Sequence, residues 1–164
     1  MMDDRISDLL GIIQDEIILY RDLIEHARRK TAILVQGRVE AILESNKVEE
    51  AFNLKLRTLE VEMARICKEL GQVFRIPREE FTLMKLADKL EQSLAQEIRI
   101  QTTLFRNLVN QLKSVSQRNM RLVEKSIYYS RGLLALISNV SDSYQKSGLF
   151  ERLPSIQPRF SQRA

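Results

Sequence analysis

Between Leu94 and Val140 the chain repeats one pattern in alternating steps of four and three: Leu94, Ile98, Gln101, Phe105, Leu108, Leu112, Val115, Asn119, Leu122, Ser126, Tyr129, Leu133, Leu136, Val140. A strand places side chains with a period of two, so a sustained seven-residue repeat belongs to an α-helix with one buried stripe. At 1.5 Å per residue this stretch spans roughly 70 Å. It is the dominant element of the chain. Composition agrees, because 164 residues include only 5 glycines, 3 prolines and no tryptophan, with 29% charged residues.

Two more seams precede it. The first runs Ile6, Leu10, Ile13, Ile17, Tyr20, Ile24, Ala27, Thr31, Leu34, with Asp3 and Asp4 at its positive end and Arg28, Arg29 and Lys30 toward the other. The second is clearest from Phe52 through Leu56, Leu59, Met63 and Ile66 to Leu70, closed by Gly71. Two turn positions compete between them. Gly37 can take the left-handed conformation that ends a helix, whereas Asn46 to Glu49 has the spacing of a capping box; Gly37 is preferred because it makes the two helices nearly equal. Gly71 to Pro77 reads as a linker, and Pro77 followed by Arg78, Glu79 and Glu80 as a helix start.

The expected fold is therefore all-α: an antiparallel bundle of three main long helices, a helix hairpin plus a longer C-terminal helix. The bundle covers 1–142, with helices at about 3–36, 38–70 and 78–142. Asp88 to Ser93 weakens the pattern, which leaves room for a break near 88–93 and a short extra helix after Pro77, around Phe81, Met84 and Ala87. Residues 143–164 read as a flexible, basic, proline-containing tail, carrying Lys146, Arg152, Arg159 and Arg163 against Glu151. Of the formal +4, the tail thus holds +3 and the helical body about +1. The last helix is longer than its partners, and Tyr128, Leu134 and Ile137 widen its stripe toward the end. Part of that stripe should lack an internal partner.

Enzyme chemistry finds little to stand on. His26 is the only histidine, Glu49/Glu50 and Glu60/Glu62 fall on faces expected to be solvated, and Cys67 sits beside Ile66 as a small buried hydrophobe would. The five glycines are isolated, so no phosphate-binding loop is present. No catalytic residue, cofactor or metal site is expected. The single cysteine excludes an internal disulfide. No secretory leader follows Met1, and no apolar run is long enough to span a bilayer; a cytoplasmic protein without membrane insertion is expected. Arg28-Arg29-Lys30 lacks the stacking aromatics that nucleic acid would want, so nucleic acid is not expected as a partner. Asn119 and Ser126 occupy seam positions where leucine is expected, either as register devices or as groups facing a partner.

The stretch Q-R-N-M-R-L-V-E-K-S-I (Gln117 to Ile127), then L-L-A-L-I (Leu133 to Ile137), then S-Y-Q-K-S-G (Ser143 to Gly148), behind a helix hairpin, resembles the FlgN family of flagellar export chaperones. Asn119 matches an asparagine of that family's last helix, and Tyr144 and Gly148 match the tyrosine and glycine that follow it. The resemblance implies a cytoplasmic, non-enzymatic chaperone of the flagellar type III secretion system. Its partners would be hook-filament junction proteins, whose C-terminal segments it keeps soluble, together with the export gate and components of the export ATPase complex. On this resemblance the candidate cargo-binding residues are Asn119, Leu122, Tyr129, Leu133, Leu136 and Val140, and Tyr144 and Gly148 are the candidates for export-gate docking. The basic tail after Gly148 has no counterpart in it. The competing expectation is a structural coiled-coil protein whose exposed stripe closes a homodimer.

Overall fold

The computed structural model describes the backbone of residues 2–144 and the side chains of residues 4–137. Three long helices dominate: α1 (Met2–Gln36), α2 (Val39–Val73) and α4 (Gln92–Tyr144), with a one-turn 3₁₀ segment at Arg78–Glu80 and the short α3 (Leu83–Ala87) between the last two. Among the described residues no strand occurs. They fall into two compact units, Met1–Val123 and the residues from Glu124 onward.

Within the first unit α1 is the central helix. The chain turns at Gly37, whose φ of +65 lies in the region that favours glycine, and α2 returns antiparallel. Arg5 on α1 pairs with Glu69 near the far end of α2 at 3.0 Å, while Lys30 pairs with Glu49 near the turn. Ser45 and Glu49 lie inside a continuous α2, so the Asn46 region is helix rather than turn. By contrast α4 runs parallel to α1: the rings of Tyr20 and Phe105 meet edge to face at 4.9 Å, and Thr31 bonds Asn119.

Because α1 is covered on two sides, it needs two apolar stripes. The seam through Leu10, Ile13, Ile17, Tyr20, Ile24 and Ala27 carries the residues that meet α4. A second set with the same alternation, Leu9, Ile12, Glu16, Leu19 and Leu23, lies on the side of Arg5, His26 and Lys30, which meet α2. Every residue of the two stripes except the half-buried Tyr20 is buried.

The α2 terminus departs from the sequence expectation. Gly71 does not end the helix, which runs on to Val73. Instead Gly71 is buried, and a Cβ there would stand 3.3 Å from the Phe81 ring and 3.4 Å from the Ile76 carbonyl. Its role is to let the linker fold back onto the helix. The residue that adopts the left-handed conformation is Arg75, φ 53; the Ile76 amide donates to Gly71 O at 2.8 Å and the Arg75 amide to Gln72 O at 3.3 Å, the bonding of a Schellman cap. The third helical region is interrupted twice. Thr82 caps α3 by accepting from the Lys85 amide at 3.1 Å, and α3 drives Leu86 and Ala87, both almost fully buried, into the cluster with Leu9, Ile66, Leu70 and Ile98.

Candidate functional site

The second unit is described as the closing stretch of α4. Between 127 and 137, seven of eleven residues are large and apolar or aromatic: Ile127, Tyr128, Tyr129, Leu133, Leu134, Leu136, Ile137. All seven are exposed, from 47% at Ile127 to 73% at Tyr128. At 100° per residue, Tyr129, Leu133 and Leu136 form one stripe and Ile127, Leu134 and Ile137 the next, so the apolar face covers nearly half the helix; Glu124 and Arg131 occupy the opposite side. Tyr128 and Tyr129 brace each other edge to face, with ring centroids 5.9 Å apart. Isolated exposed hydrophobics are ordinary on soluble proteins, but a contiguous apolar face is the mark of a surface used in binding.

The residues singled out by sequence separate into three groups. Tyr129, Leu133 and Leu136 stand exposed at 67%, 60% and 62%, and Leu122 is half-buried in the first unit. Asn119 is different: it is buried, its Nδ2 donates to the Ala27 carbonyl at 2.8 Å, and its Oδ1 accepts from the Thr31 hydroxyl at 2.6 Å. Both bonds run to α1, and Asn119 is buried where Tyr129, Leu133 and Leu136 are exposed. For Val140 and Tyr144 the backbone belongs to α4, while their side chains, and the whole of Gly148, lie outside the described residues. Ile127 belongs to the exposed face although the sequence reading left it out.

Replacing Asn119 by alanine removes both bonds at the α1–α4 contact. The expected loss of stability is about 2 kcal/mol, readable as a lower denaturant midpoint with an unchanged slope. Cargo retention should persist at concentrations where the variant remains folded.

The polar groups inside the first unit are structural in their chemistry. Glu16 is 6% exposed; burial first, and the Glu60 carboxylate second, push its carboxyl up to about 7. Cys67 is pushed up to about 11 by burial and by Glu16, which keeps it a neutral thiol near pH 7 and a poor nucleophile. Burial, then Glu16 and Glu60, also raise Tyr20. His26 is held at the α1–α2 contact, with Nε2 at 3.1 Å from both the carbonyl and the hydroxyl of Ser45. Among the described residues no group of three or more His, Cys, Asp or Glu side chains could hold a metal ion, and no helix is long and apolar enough to cross a membrane.

A family description, FlgN protein, matches residues 1–151 of the chain. No curated protein and no solved structure gave a significant match. The matched range takes in all four helices, the exposed apolar face and the motif from Ser143 to Gly148, so the chain belongs to the FlgN family of flagellar export chaperones.

Proposed function

We propose that this chain, acting in the cytoplasm, binds the C-terminal segments of hook-filament junction proteins on the face built from Ile127, Tyr129, Leu133, Leu136 and Ile137, continued toward Val140. It keeps those segments soluble and hands them to the export gate and its ATPase complex. The observation that carries the reading is the unburied apolar face itself, in a chain of a chaperone family. A segment with little structure of its own can lay apolar side chains along such a helix. The ordering it undergoes on binding holds the affinity down, which suits a cargo that must be released.

Tyr144 and Gly148 are proposed to contact the export gate, on the resemblance of their spacing to the family's motif. Immobilised wild-type protein should retain a full-length hook-filament junction protein and lose it when the cargo's C-terminal segment is deleted. Tyr144→Ala should keep cargo retention and the helical circular-dichroism signal while weakening association with the gate. Equal retention of intact and truncated cargo would count against the proposed segment, and joint loss of cargo and gate binding in Tyr144→Ala would refute the division of labour.

The two adjacent stripes would also suit a second copy of the chain, the basis of the homodimer reading. Sedimentation velocity across a range of concentrations separates them. A chaperone exchanges any self-association for a complex with cargo, whereas a structural homodimer stays intact when cargo is added.

A further inference from the structure

A second interaction surface lies in the first unit, on the α1–α4 side of the bundle. Near the end of α1, residues of the two parallel helices line an open cleft of about 570 Å³. It is lined by Thr31, Ala32, Val35 and Gln36 of α1 and Val115 of α4, together with one arginine from each helix, Arg28 and Arg118. Val35 is 71% exposed, so the apolar wall is uncovered.

The charges along this part of α1 are treated unequally. Arg29 is paired with Glu25 at 2.6 Å, and Lys30 is paired with Glu49. Among the described residues neither Arg28 nor Arg118 makes an ion pair, and both are exposed. Two uncompensated guanidinium groups therefore flank an apolar slot whose α1 wall, from Arg28 to Val35, is two helical turns long, roughly 10 Å.

We propose that this cleft is a docking site for an acidic amphipathic helix of a partner protein, which seats an apolar residue against Val35 and Val115 and aims a carboxylate at each arginine. The length matches the spacing of a helix that presents anchors at i, i+3 or i+4, and i+7. Guanidinium groups recognise carboxylates through directional, paired hydrogen bonds. The chain's own segment after Ser143 is a poor occupant, because its side chains carry +3. A single-stranded nucleic acid would need aromatic platforms for its bases, and the cleft is lined by none. The site is separate from the face proposed for cargo and stands or falls without it.

The probe is a fluorescein-labelled helical peptide of about 18 residues, with leucines at i, i+4 and i+7 and glutamates flanking them, compared with the same peptide carrying lysine for every glutamate. Fluorescence anisotropy with the full chain should show the glutamate peptide binding at least about tenfold more tightly at low salt, with the preference shrinking at high salt. R28E/R118E should reduce that affinity at least about tenfold and R28Q/R118Q by less, with circular-dichroism melting unchanged, as expected for exposed and unpaired side chains. L133E/L136E should bind as wild type does. In a ¹⁵N-labelled full chain, the amides of Ala32, Val35 and Val115 should shift on titration. The proposal is overturned if the two peptides bind alike or not at all, if R28E/R118E binds as wild type does, if L133E/L136E loses the peptide, or if a single-stranded oligonucleotide is taken up in preference to it.

Discussion

Leu133→Glu combined with Leu136→Glu is expected to abolish retention of a hook-filament junction protein, lowering its affinity at least about a hundredfold, while the melting temperature stays within a degree or two of wild type. The two halves of that expectation have one cause. Both leucines are at least 60% exposed, so the folded chain gains little from their burial, and an exposed substitution of this kind usually changes stability by no more than about 0.5 kcal/mol. A cargo segment lying on the face would bury them. Each leucine then contributes about 1.5–3 kcal/mol of apolar transfer, and a carboxylate in its place would be desolvated without a partner. Isothermal titration and thermal melting read the two halves separately. A variant that melts early and loses cargo would instead mark these positions as structural.

Glu16→Gln is expected to stabilise the bundle at pH 8 by about 2 kcal/mol, raising its melting temperature by about 4–8 °C. Glu16 is buried on the α2 side of α1, and its carboxyl is raised from 4.5 to about 7. The fold thus prefers the protonated form. Below pH 4.5 both folded and unfolded chains carry the proton and no penalty applies. As pH rises from 4.5 to about 7 the unfolded chain releases its proton more readily than the folded one, so stability falls across that window; above about 7 the whole penalty, at most about 3 kcal/mol, is present. Glutamine keeps the shape and cannot ionise. Melting curves of the two proteins should converge near pH 4.5 and separate as pH rises, and a constant gap at every pH would contradict the account.

The long elements were legible in the sequence because a seven-residue repeat can be satisfied in few ways. The α4 seam, the α1 seam and the turn at Gly37 all follow from spacing and from one glycine at a chain reversal. The α2 terminus was less legible, because glycine marks two different needs. Gly37 supplies a positive φ, whereas Gly71 supplies space for Phe81, and the positive φ near it falls on Arg75, a residue type that carries no such signal. Glu16 escaped notice for a related reason. A charged residue among isoleucines reads as the solvated side of a helix until α1 is known to be covered on two sides.

The site divides in the same way. Leu133 and Leu136 could be found because their stripe continues through the whole of α4, and α4 is longer than either of its companions. Asn119 sits on the same seam, yet it is bonded to Ala27 and Thr31, a pairing across 92 and 88 positions that the heptad spacing does not reveal. The cleft between Arg28 and Arg118 had no sequence signal. Its two arginines lie 90 positions apart and are brought together by the parallel pairing of α1 with α4.

The central claim is that the closing stretch of α4 holds another protein's chain on side chains the molecule leaves uncovered. Hydrogen–deuterium exchange of the full-length chain, alone and with a saturating hook-filament junction protein, tests it most directly. The account predicts strong slowing of exchange at residues 124–140 on adding cargo, with the amides of α1 and α2 unchanged. Protection of those residues that is already complete in the free protein, or cargo-induced slowing confined to α1 and α2, would contradict it.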